Sequence, residues 1–128
     1  MPWAKILSAA KRASRARWRR CASARVDLDG VVRFHGSLPV DDPPKPGEVK
    51  AEVLVLHGAA DGYVMHKAIA TFKQQMTRAD ANINVISYPG AKQSFTNPAA
   101  DQSVCEFGLE VAYDTRADRQ SWREMRTF

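Results

Sequence analysis

No stretch of this 128-residue chain is apolar for the roughly 20 residues that a membrane-spanning helix needs. Only two cysteines occur, Cys21 and Cys105, which is too few for a disulfide framework and lacks the paired spacing of a zinc site. A reducing, cytoplasmic setting is the expectation that follows. No group of His, Cys, Asp and Glu has metal-ligand spacing, so neither a metal nor another cofactor is expected. Internal repeats are absent as well. Acidic residues are missing from residues 1–25, which hold eight of the 19 basic residues (Lys5, Lys11, Arg12, Arg15, Arg17, Arg19, Arg20 and Arg25). The rest of the chain carries the other eleven against all 14 acids, so the net charge of +5 belongs to the N-terminal segment alone. A basic segment on a mildly acidic body argues against a nucleic-acid-binding domain.

Residues 1–25 are expected to be disordered or helical, and three origins fit their Arg, Ala and Ser content. They match a transit peptide in composition. They also match a nucleic-acid-binding arm, with Trp3 and Trp18 available for stacking. The third origin is coding sequence read out of frame.

From Val26 onward the texture changes. Gly30 to Gly36 reads as a short strand closed by glycine. A loop follows across residues 37–50, which contain four prolines, Pro39, Pro43, Pro44 and Pro46. Val53-Leu54-Val55-Leu56 is continuously apolar, as a parallel strand covered on both faces should be. Met65, Ile69, Phe72 and Met76 recur at helical spacing and predict a helix to about Arg78. Ile83 to Tyr88 is a third strand. A polar, Asp-rich stretch leads to a helix over Asp118–Phe128, with Trp122 and Met125 as its core residues. This alternation predicts an α/β protein with a parallel sheet. Ligand chemistry in such sheets gathers on loops at the carboxyl ends of the strands. Asp61 lies on one such loop, in "LHGAADGYV", and Gln93 on another, in "PGAKQSFTNP". His35 and His57, each before a glycine at a strand end, read as structural, and His66 as solvated.

Four stretches, "DLDGVVRFHGSL", "VLVLHGAADGYV", "SYPGAKQSFTNP" and "VAYDTRADRQSWREM", together resemble the dienelactone hydrolases of the α/β-hydrolase superfamily. The resemblance covers residues 26–128 and corresponds to the C-terminal half of that family's domain. It implies a partial α/β-hydrolase fold with about three parallel strands flanked by helices, the N-terminal strands missing. The implied activity is hydrolysis of lactones or small carboxylic esters by a Cys-His-Asp triad. Asp61 falls on the position of the acid and Gln93 on that of the histidine. A carboxamide cannot accept and return a proton near neutral pH as imidazole does. The implied nucleophile sits at a G-x-C-x-G elbow, and no such motif, nor its serine form, occurs in the chain. Cys21 lacks flanking glycines, and Cys105 follows Gln93 in the wrong chain order. Some members hold a substrate carboxylate with an arginine four residues after the histidine, where this chain has Asn97. The expectation is a triad-incomplete, inactive hydrolase-family chain, with a small-molecule ester or lactone as the family's substrate. Two alternatives remain: a non-catalytic binding or regulatory remnant, and a basic-tailed nucleic-acid binder.

Overall fold

The computed structural model describes residues 6–8, for which only the backbone is placed, together with 28–36, 38 and 43–128. The described elements are four strands, β1 (Ile6–Ser8), β2 (Gly30–Phe34), β3 (Glu52–Gly58) and β4 (Ile83–Tyr88), with helix α1 (His66–Arg78) between β3 and β4 and helices α2 (Ala100–Phe107) and α3 (Thr115–Thr127) after β4. The strands form one sheet in the order β1-β2-β3-β4, and every pairing is parallel. The three expected strands are β2, β3 and β4. The fourth, β1, pairs Ile6–Ser8 with Gly30–Val32 and lies inside the basic segment, so these three residues are neither disordered nor helical. The remainder of 1–25, including Cys21, Trp3 and Trp18, lies outside the described residues.

Because successive strand side chains point to opposite faces, the apolar run of β3 serves two cores. Val53 and Val55 join Val31, Phe72 and Met76 beneath α1. Leu54 and Leu56 join Val32, Phe34, Tyr88, Phe95 and Ala117 beneath α3. Each fully buried Val, Leu or Phe contributes about 1.5–3 kcal/mol relative to exposure, so β3 is the strand on which both layers depend. In α1 the buried face is Phe72 and Met76, with Ile69 partly covered. Met65 departs from the expectation: it is the N-cap residue, precedes the helix, and is 68% exposed.

Helix α3 starts three residues before its expected first turn. The Asp114 carboxylate accepts from the Ala117 N–H at 2.9 Å and caps it. Its covered face is small, Ala117 and Ser121, with Met125 partly buried behind them. Trp122 stays partly exposed while its ring lies 4.9 Å from that of Phe34, so it flanks the core rather than filling it. The polar stretch before it contains an unexpected helix, α2, which buries only Ala100.

Candidate functional site

The carboxyl ends of β2, β3 and β4 share one edge of the sheet, and each runs directly into a segment with polar side chains: His35, Asp61 and Gln93. The register that pairs Gly58 with Tyr88 places the last two segments side by side. Two backbone hydrogen bonds then join them, Ala59 N–H to Tyr88 O and Ala60 N–H to Ala91 O, both at 2.9 Å. The crossing is tight. A Cβ at Gly58 would stand 2.4 Å from the Ala91 carbonyl oxygen, so only glycine lets the two loops meet here.

Asp61 is 5% exposed. Its Oδ1 accepts from the N–H groups of Tyr63 at 2.8 Å and Val64 at 3.2 Å, which folds the loop around the carboxylate. Its Oδ2 is buried and receives no hydrogen bond from the described residues. Gln93 is half-buried, and its backbone forms a parallel bridge to Val111, with the Ala112 N–H donating to Gln93 O at 3.2 Å. Ser94, next along, has φ 64°, a conformation that L residues rarely hold outside constrained sites. The side-chain Oε1 of Gln93 is also buried and unpartnered. Among the described residues, two adjoining loops thus each hold a buried acceptor without a donor, which is costly to leave unpaired.

Two imidazoles surround this edge. His35 has φ 31°, its Nε2 lies 2.7 Å from Thr96 Oγ1, and its ring meets Phe95 edge-on at 5.1 Å. Burial lowers its proton affinity, opposed by a hydrogen bond to its own backbone and by the charge of Asp61. His57 is buried within β3, with Nε2 unpartnered. Its proton affinity is lowered by burial first, raised in part by Asp61 and lowered again by His66. The same carboxylate therefore acts on both rings. The His35–Thr96 contact spans 61 residues, and no spacing rule joins two segments that far apart, so the sequence carried no signal for it.

Asn97 is exposed and engaged locally: its Oδ1 accepts from the Ala99 N–H at 3.1 Å and its own N–H donates to Ser94 O at 2.9 Å. Cys105 is a free thiol on the exposed side of α2. Among the described residues no helix is long and apolar enough to cross a membrane.

A family model, that of the dienelactone hydrolase family, matches residues 19–128. The chain belongs to this family. The match starts seven residues before Val26, where the resemblance first became legible. An uncharacterised protein of Caenorhabditis elegans is 31% identical over 105 residues, covering 80% of this chain and 65% of that protein. Among solved structures, a dienelactone hydrolase-like promiscuous phosphotriesterase from metagenomic libraries superimposes with a TM-score of 0.73 at 30% identity. The protein m3DLH does so with a TM-score of 0.72 at 32% identity. Each comparison covers 83% of this chain but 43% of the other. This dienelactone hydrolase-family chain therefore spans under half the length of these two structures. A dienelactone hydrolase of Klebsiella pneumoniae, 23% identical with a TM-score of 0.58, shares the fold.

Proposed function

We propose that this chain carries the acid loop and the base-bearing loop of a hydrolase for small esters or lactones, and that the triad is incomplete. Asp61 holds the acid position, and Gln93 stands where the family's histidine would. The observation that carries the reading is Asp61 Oδ2, buried and without a donor beside the loop of Gln93. A histidine at position 93 would supply that donor; the carboxamide, as it is oriented, presents another acceptor. Asn97 brings no positive charge to a substrate carboxylate, which favours neutral esters and lactones over dienelactone itself. The reaction class needs no cofactor, and a content of only two cysteines favours a reducing, cytoplasmic setting.

Removal of one triad member costs a factor of about 10⁴ or more, and removal of a second costs little extra because the members act as a unit. Steady-state hydrolysis of p-nitrophenyl acetate and of dihydrocoumarin by the pure full-length chain is accordingly expected at the buffer background. Sustained turnover that disappears in Asp61→Asn would overturn this reading and show a complete site.

A further inference from the structure

We propose that Thr96 and His35 form a nucleophile–base pair on the same sheet edge as Asp61, able to take an acyl group from an activated ester onto the Thr96 hydroxyl. The pair deepens the hydrolase reading by using its edge, but it requires neither a thiol nor a histidine at position 93. A hydroxyl within hydrogen-bond reach of an imidazole that a third group orients or charges is the arrangement that activates Ser and Thr nucleophiles. Here Thr96 Oγ1 and His35 Nε2 are 2.7 Å apart, and both side chains are half-buried, hence within reach of solvent. General-base action requires the tautomer in which Nε2 is unprotonated and accepts from the Thr96 hydroxyl, the other ring nitrogen carrying the proton. The negative charge of Asp61 favours the imidazolium that forms when His35 takes the hydroxyl proton. Both segments of the pair hold non-glycine residues at positive φ, His35 at 31° and Ser94 at 64°, and such strain concentrates where geometry serves chemistry.

The step balances simply. Thr96 Oγ1 bonds to the acyl carbon as its proton moves to His35 Nε2. The bond between the acyl carbon and the leaving oxygen breaks, p-nitrophenolate departs as the anion, and His35 later returns the proton to solvent. Hydrolysis of the product is that of an alkyl ester and must expel the Thr96 alcohol, a far poorer leaving group than p-nitrophenolate, so deacylation is much the slower step. The acyl group is therefore retained, and single-turnover acylation coexists with background steady-state turnover.

The test is p-nitrophenyl acetate added to the full-length chain, read by the amplitude of the nitrophenolate burst and by peptide mass spectrometry. The expected result is a burst approaching one equivalent and an acetyl group on Thr96. Thr96→Val should carry no acetyl group there, whereas Thr96→Ser should retain it. His35→Asn, which tolerates the left-handed backbone, should slow acylation by about 10²-fold or more, the usual worth of a general base. The acylation rate should rise with pH through the titration of His35, at a pH below the ordinary histidine value. If the acetyl group appears only on Cys105 or lysines, or labels Thr96 equally fast in His35→Asn, the proposal is overturned and the pair is only a clasp between loops. The burst reads this proposal and the steady-state slope reads the preceding one, so either can fail alone.

Discussion

Asp61 commits one carboxylate oxygen to its own loop through Tyr63 and Val64 and leaves the other buried without a donor. A buried, unpaired carboxylate oxygen is a costly feature, and Gln93→His should relieve it. The new imidazole would meet an anion that favours its charged form, so its proton affinity should be raised in the folded state. The gain, about 1–2 kcal/mol for a charge-assisted bond, would be fully present below the unfolded histidine value and lost as pH rises through the raised one. Urea denaturation of both proteins at pH 5.5 and 8.5 measures it, with stabilisation expected only at the lower pH. Steady-state ester turnover should not return, because the sequence contains no G-x-C-x-G or G-x-S-x-G elbow to present a nucleophile to it. His35 and His57 predict the opposite slope. Burial lowers the proton affinity of both below the ordinary 6.5, so the unfolded chain takes up protons first as pH falls through that value. Melting temperature should decline between pH 7.5 and 5.5, and replacing His57 by Gln should flatten the decline. A flat profile in the parent chain would show that these rings titrate normally.

The elements that were legible in the sequence are those whose burial matches a simple period. The uninterrupted β3 run announces itself because both of its faces meet a core, and the Phe72–Met76 face of α1 because one side of that helix does. Helix α2 was illegible for the converse reason. It buries one residue, Ala100, and so leaves no apolar stripe to read. The start of α3 is fixed by a single carboxylate, Asp114, in a segment that already contains several acids. Asp61 and Gln93 were legible as loop residues past strand ends, but the His35–Thr96 pair was not, since tertiary structure alone joins β2 to the loop after β4. Contacts of that kind suggest two substitutions whose effects live at this scale. Gly58→Ala drives a methyl group into the Ala91 carbonyl, and nearby backbone rather than a flexible side chain must move. A loss of about 1–3 kcal/mol is expected, as for overpacking generally, read as a lower urea midpoint with an unchanged slope. Asp114→Ala should cost about 1 kcal/mol through the lost cap, and Asp114→Asn should recover most of it.

The whole molecule combines a mildly acidic body with a basic segment, and it covers 43% of the metagenomic phosphotriesterase and of m3DLH. Several large apolar side chains are left in solvent: Phe107 is 71% exposed, Met65 68% and Tyr63 55%. Val104 and Phe107 lie one turn apart on α2, the helix with the least buried surface, and Leu109 follows directly. Scattered apolar residues are ordinary on protein surfaces, but a helix that turns several outward invites association. The full-length chain is therefore expected to self-associate with rising concentration and to melt broadly at low temperature. Sedimentation velocity over a hundredfold concentration range, with a thermal scan at each end, would follow both properties. Phe107→Lys should weaken the association, since it removes the most exposed ring and places a positive charge in the last turn of α2, where the helix dipole favours it. A monomer at every concentration that melts sharply above about 60 °C, high for mesophilic domains, would mean that the exposed side chains leave the fold neither sticky nor marginal.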